Sequence, residues 1–269
     1  MEARQGTLKE RTEAKIQATL ALPAEIPAPA VGIGPREMAA LIDHTQLKAA
    51  ATRGQIETLC QEAREHSFAA VCVNASYVAL CHELLAGDGL LAGDGLLAGD
   101  GQTEIAAVVG FPLGATLPEV KAYEAQRCIA AGATEIDMVL HVGALLDQRY
   151  EYVYHDILGV VQACHARGAK LKVIIEAALL TDEAKVAACF LSQEAGADYV
   201  KTSTGFGPWG AKVEDVALMR RTVGPEMGIK AAGGIRTYAD ACAMVGAGAT
   251  RIGASAGIRL VEEATEAAS

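Results

Sequence analysis

The sequence predicts an α/β protein whose parallel strands and intervening helices close into a (β/α)8 TIM barrel. Three observations carry that prediction. A unit made of a short apolar run, a polar or Gly-rich turn and a helical stretch recurs about every 30 residues, the length of a strand–helix–strand crossover. Eight such runs follow one another beyond residue 36, and eight parallel strands can close into a barrel. Three Ala-Gly-Ala turns, Ala131-Gly132-Ala133, Ala195-Gly196-Ala197 and Ala247-Gly248-Ala249, stand just ahead of strands, where a helix-ending glycine belongs. A doubly wound open sheet is the alternative, but no Gly-x-Gly-x-x-Gly follows the first strand.

Residues 1–35 read as an N-terminal extension: a short helix over 1–21, then a linker over 22–35 that holds Pro23, Pro27, Pro29 and Pro35. It is expected to contribute no chemistry. The barrel occupies residues 36–269. Its strands are expected at 41–43, 69–73, 105–109, 135–139, 171–175, 199–201, 229–231 and 251–253. Residues 118–131, 149–167 and 181–195 show helical spacing of apolar positions between them. Residues 84–101 repeat Leu-Leu-Ala-Gly-Asp-Gly three times. Glycine makes up a third of that segment, which argues against a continuous helix. Three lone carboxylates, Asp88, Asp94 and Asp100, make a poor calcium cage. The segment reads as an expanded loop on the barrel face opposite the active site, where length is tolerated.

Composition narrows the function. A formal net charge of −10 disfavours a nucleic-acid partner, although one local pocket of donors suffices for a small phosphorylated ligand. No stretch is long and apolar enough to span a bilayer. Glu2, Glu10 and Glu13 make the first 20 residues unlike a secretory signal or a transit peptide. Seven irregularly spaced cysteines suggest reduced thiols and a cytoplasmic protein. The outward faces of barrel helices offer surfaces for a homo-oligomer, and its order is left open.

Catalytic groups in such a barrel come from the C-terminal strand ends and the loops beyond them. Lys172 begins its strand and belongs to the lower interior, whereas Lys201 ends the sixth strand and Lys230 lies near the end of the seventh. Neighbouring strands bring these last two together. An ordinary lysine, with pKa about 10.4, is only on the order of 0.1 % neutral near pH 7.4, and only the neutral amine attacks a carbonyl. A neighbouring ammonium and burial both favour the neutral form, so the pair suits a Schiff-base nucleophile and its perturbing partner. Ordinary ion pairs at the rim are the alternative for both.

Strand alternation places Glu135 and Asp137 on one face, with Asp137 above Glu135 if that face points inward. Lys172 and Glu176 share parity in the same way, so Glu135 with Lys172 forms a candidate buried pair below the active layer. Asp137 is then free for acid–base work, directly or through water, and Asp43 is a second interior carboxylate. Gly233-Gly234 after the seventh strand and Gly253-Ala254-Ser255 after the eighth, with a helix N-terminus behind, form a candidate anion cradle. Metal chemistry competes poorly: Cys81-His82 and Cys164-His165 diverge on helices, and His44 reads as a hydrogen-bonding partner. Cys72 reads as pocket wall. No metal and no cofactor is expected.

Six blocks then carry a family resemblance. They are Ile42-Asp43-His44-Thr45, Val109-Gly110-Phe111-Pro112-Leu113-Gly114, Glu135-Ile136-Asp137-Met138-Val139, Leu171-Lys172-Val173-Ile174-Ile175-Glu176, Lys201-Thr202-Ser203-Thr204-Gly205 and Lys230-Ala231-Ala232-Gly233-Gly234-Ile235-Arg236. In this order they resemble the deoxyribose-phosphate aldolases over about residues 36–260. The resemblance implies a metal-independent barrel enzyme that cleaves 2-deoxy-D-ribose 5-phosphate to acetaldehyde and D-glyceraldehyde 3-phosphate. It implies Lys201 as the Schiff-base lysine, Lys230 as its perturbing and proton-shuttling partner, and Asp137 as proton donor and acceptor. Thr204 and Asp43 would line the site, and Gly233, Gly234 and Ser255 would hold phosphate; Thr45 and Gly253 are further substrate-binding candidates. His141, Ala177, Trp209 and Ala256 depart from the family's usual residues, and the C-terminal tyrosine of some members is missing. Another Schiff-base aldolase and a non-catalytic phosphosugar-binding barrel are the rival readings.

Overall fold

The computed structural model describes residues 6–86 and 103–268. The glycine-rich part of the repeat, residues 87–101, and its three aspartates lie outside the described residues.

Eight parallel strands close in sequence order into a barrel. They are β1 (Ile42–Gln46), β2 (Ala70–Val73), β3 (Glu104–Val109), β4 (Glu135–Val139), β5 (Lys170–Ile174), β6 (Tyr199–Lys201), β7 (Gly228–Ala232) and β8 (Arg251–Ala254). The first half of the chain supplies helices α1 (Leu8–Leu20), α2 (Pro35–Ala39), α3 (Arg53–Glu65), α4 (Val78–Ala86) and α5 (Pro118–Ala130). The second half supplies α6 (Val142–Leu146), α7 (Tyr150–His165), α8 (Asp182–Ala195), α9 (Val213–Val223), α10 (Tyr238–Gly246) and α11 (Gly257–Ala267). β1 runs further than its apolar residues suggest, because Thr45 and Gln46 keep the register with Cys72 and Val73 of β2. Local chemistry explains the helix starts. Thr52 opens α3 and Thr237 opens α10 in reciprocal capping boxes, and Pro118 stands where a missing N–H does no harm.

Most of the apolar core lies between the outward faces of the strands and the helices. A buried ion pair, Lys121 Nζ to Asp156 Oδ2 at 2.6 Å, joins α5 to α7 within that layer. The barrel interior is divided. Cys72, Ala106 and Val108 of β2 and β3, with Leu47, form a small apolar wall, and the remaining strands carry charge inward.

The N-terminal segment packs on the barrel. Thr7 and Glu10 cap α1 reciprocally, α1 lies against α7 and α8, and Arg11 pairs with Glu194. The linker crosses α10, where Ala30 N donates to Cys242 O at 2.9 Å and Tyr238 Oη donates to Ile33 O at 2.9 Å.

Candidate active site

Alternation along six strands builds a charged cluster of seven residues inside the barrel. Asp43 points in from β1, Glu135 and Asp137 from β4, Lys172 from β5, Lys201 from β6, Lys230 from β7 and Arg251 from β8, all buried. Closure brings them into register: Asp137 stands opposite Lys172, and Lys201 opposite Lys230. Asp137 is the hub. Its Oδ2 accepts from Lys201 Nζ and Lys230 Nζ, both at 2.8 Å, and its Oδ1 accepts from Lys172 Nζ at 2.9 Å.

The two candidate lysines meet as expected, and both are buried at the floor of the barrel mouth, not in the exposed rim ion pairs of the alternative reading. Lys201 is 2 % exposed and Lys230 wholly buried. Burial pushes the Lys201 amine below its ordinary value; the carboxylate of Asp137 opposes this and the ammonium of Lys230 adds to it. Burial acts on Lys230 in the same sense, yet Asp137 and Asp43 prevail and hold its ammonium well above the ordinary range. Burial alone would raise Asp137, but Lys172, Lys201 and Lys230 together hold its carboxyl well below ordinary values. Asp43 follows the same logic: Lys230, Lys172 and Arg251 outweigh its burial and lower it to about 2.

Above this cluster a cavity of about 370 Å³ opens between the ends of β1, β6, β7 and β8. Lys201 and Lys230 are the members of the cluster that border it, and Asp43 lies beneath Lys230. Thr204, Gly205 and Phe206 form one side, and Thr45, Gln46 and Lys48 another. The opposite wall consists of Gly233, Gly234, Arg236, Gly253 and Ser255. Gly233 and Gly234 both take positive φ, +88° and +79°, so this turn suits glycine at both positions. No side chain caps α11, which begins two residues after Ser255, so its first N–H groups are available to an anion. Gly253 has a second role, since a Cβ there would stand 2.9 Å from Lys230 Cε.

Other expectations come out differently. Glu176 does not continue the interior column of Lys172. Its backbone turns left-handed at φ 51°, and Oε2 accepts from the Thr204 amide at 3.2 Å and from the Thr204 hydroxyl. Glu135 does pair with Lys172, but Lys172 reaches up to Asp137 as well, so the lower pair and the active layer are one network. His44 Nε2 bonds Glu62 Oε2 at 2.7 Å and sits beside Phe68, a packing role. Cys72 is buried with its Sγ 3.9 Å from Asp137, and burial pushes its thiol up. Of the four departures, His141 caps α6 by accepting from Ala144 N at 3.1 Å, and Ala177 fills a buried turn after β5. Trp209 lies under Lys212, with Nζ 4.4 Å from its ring centroid, and Ala256 precedes α11. None of these four borders the cavity.

Sequence reasoning missed Arg251. Its Nη1 donates to Asp43 Oδ1 at 2.9 Å and its Nη2 to Glu135 Oε1 at 2.7 Å. The signal was present: Arg251 shares parity with Gly253, and three interior carboxylates required more cations than had been assigned.

A model of the DeoC/LacD family aldolases matches residues 37–260. A deoxyribose-phosphate aldolase of Thermococcus kodakarensis is 55% identical over 231 residues, covering 86% of this chain and 98% of the relative. The crystal structure of a provisionally named deoxyribose-phosphate aldolase from Coccidioides immitis aligns with TM-score 0.83 and 41% identity over 95% of this chain and 97% of that one. A tetrameric deoxyribose-phosphate aldolase structure from Aeropyrum pernix aligns with TM-score 0.75 and 34% identity over 93% and 96%. With the family match spanning nearly the whole barrel and relatives this similar over their full length, the chain belongs to the DeoC/LacD family of aldolases.

Proposed function

We propose that this chain cleaves 2-deoxy-D-ribose 5-phosphate reversibly to acetaldehyde and D-glyceraldehyde 3-phosphate through a Schiff base on Lys201, in deoxyribonucleoside catabolism. The observation that carries the reading is the buried Lys201 amine, held below its ordinary pKa, facing a cavity flanked by a glycine turn and an uncapped helix start. The neutral amine adds to the sugar aldehyde, and loss of water leaves an iminium. Asp137, at 2.8 Å from the nitrogen, is the counter-ion for the new positive charge. Asp137 takes the C3 hydroxyl proton directly or through water, and Lys230, which touches both Asp137 and Asp43, relays it. The C2–C3 bond breaks with its electrons drawn into the iminium, C3 becomes the aldehyde of glyceraldehyde 3-phosphate, and the resulting enamine is protonated at C2. Hydrolysis releases acetaldehyde and restores Lys201.

The phosphate rests on the Gly233–Gly234 turn, Gly253, Ser255 and the start of α11, with the exposed cations Lys48 and Arg236 beside it. Thr45 and Thr204 face the sugar. An exposed apolar strip, Leu113, Leu117, Val120 and Tyr123, supports self-association into a homo-oligomer. Seven buried free thiols suit the cytoplasm. Among the described residues no helix is long and apolar enough to cross a membrane.

The test is borohydride reduction in the presence of acetaldehyde, followed by mass spectrometry of the Lys201 peptide. An ethyl adduct on Lys201, absent from folded Lys201→Ala together with at least a thousandfold loss of turnover, is the expected outcome. Substantial turnover in Lys201→Ala, or an adduct carried by Lys230, overturns the assignment.

A further inference from the structure

Four basic side chains and three carboxylates meet inside the barrel, and their partners are unequal. Lys172 contacts Asp43, Glu135 and Asp137; Lys230 contacts Asp43 and Asp137; Arg251 contacts Asp43 and Glu135. Among the described residues Lys201 forms an ion pair with Asp137 alone. The three cations with several partners suffice to neutralise the three carboxylates. A fourth protonated group would leave an uncompensated charge in a wholly buried site. The other titratable groups around the cluster are Cys72 on β2, whose thiol burial keeps protonated, Tyr199 on β6, beneath Arg251, and Glu176 after β5, bound to Thr204.

We propose that Arg251 is a positioning residue that keeps Lys201 a free amine: it supplies the third permanent positive charge and binds Asp43 and Glu135 so that neither carboxylate draws a proton onto Lys201. It borders no part of the cavity and acts only through these two carboxylates. A guanidinium suits the place because it stays charged and offers two donors in a fixed fork. Without it, two buried cations face three carboxylates. An amine takes up a proton at higher pH than a carboxylate does, so Lys201 takes it first and loses its nucleophilicity. The inference rests on the Schiff-base reading and names what maintains the state that reading requires.

The test follows cyanoborohydride trapping of acetaldehyde on Lys201 as a function of pH. Each pH unit of alkaline movement in the midpoint corresponds to about a tenfold lower rate on the acid side. Arg251→Met is expected to move the midpoint alkaline by at least about one pH unit, whereas Arg251→Lys leaves it in place. Arg251→Met combined with Glu135→Gln returns the midpoint to the wild-type position, because two carboxylates again face two cations. Glu135→Gln alone moves it to the acid side. A merely structural role for Arg251 would lower the rate without moving the midpoint. An unmoved midpoint in Arg251→Met, or a double variant that keeps its shift, overturns the proposal. If Arg251→Met does not fold, Glu135→Gln decides, and an unmoved or alkaline midpoint there is fatal. A wild-type protein without an adduct at any pH removes the Schiff-base reading itself. An adduct that forms normally but is insensitive to these variants removes only the role of Arg251.

Discussion

A lysine whose proton affinity is lowered by burial inside a barrel makes folding release a proton over the pH range in which the unfolded chain keeps it. For Lys201 the unfolded chain therefore binds more protons, and stability rises with pH between the lowered folded value and the ordinary 10.5. Lys201→Met, which keeps the volume and removes the proton, is expected to be more stable than wild type near neutral pH. Each tenfold change in proton affinity is worth about 1.4 kcal/mol. The advantage should shrink as pH approaches 10.5, and thermal melts of both proteins across that range check it. An advantage of constant size would trace to packing instead. Lys201 and Lys230 were legible in the sequence because strand ends and two-residue alternation fix where a side chain goes. Glu176 was not, because its own left-handed backbone ends the alternation there and turns the side chain to Thr204. The contact from Lys172 to Asp137 was missed for a different reason: it depends on the register between β4 and β5, which pattern alone does not reveal.

At the scale of elements, the loops after β6 and β7 determine the shape of the cavity. Gly210 lies so close to Gly233 that an added Cβ would meet its carbonyl oxygen at 2.0 Å, and Ala211 N donates to Ala232 O at 3.1 Å and Gly233 O at 3.0 Å. Backbone meets backbone there, so the clash cannot be relieved by a rotamer. Gly210→Ala is expected to push the Gly233–Gly234 turn off its position and raise KM for the phosphorylated sugar about tenfold or more, a loss of about 1.4 kcal/mol of binding. Trapping of phosphate-free acetaldehyde on Lys201 should be preserved. Steady-state kinetics beside trapping separates the two, and a KM that does not move would detach this turn from phosphate binding. The eight strands and the helices α5, α7 and α8 were readable from periodicity. This loop contact was not, since Gly210 sits in a stretch without periodicity and its partner lies on another strand's loop.

For the molecule as a whole, the barrel was legible from the recurring unit, and the docking of residues before it was not. Nothing in the alternation of prolines between residues 22 and 35 states which helix they cross. Thr12 and Thr19 are buried, and Arg11 reaches Glu194 on α8. Removing residues 1–22 is expected to lower Tm by several degrees, as the uncovered faces of α7 and α8 meet water, while the Lys201 adduct still forms. Calorimetry of the shortened chain, with trapping, checks both halves. An unchanged Tm would make the docking energetically idle.

That docking also sets a waiting time. On a translating ribosome α1 emerges long before α8, for Arg11 and Glu194 are 183 residues apart. At 5–20 residues per second the nascent helix waits about 10–40 s for its seat. Lys9, Glu10, Arg11, Glu13 and Lys15 give it a charged surface, so the waiting segment can remain dispersed in water without a chaperone's cover until its partner is made.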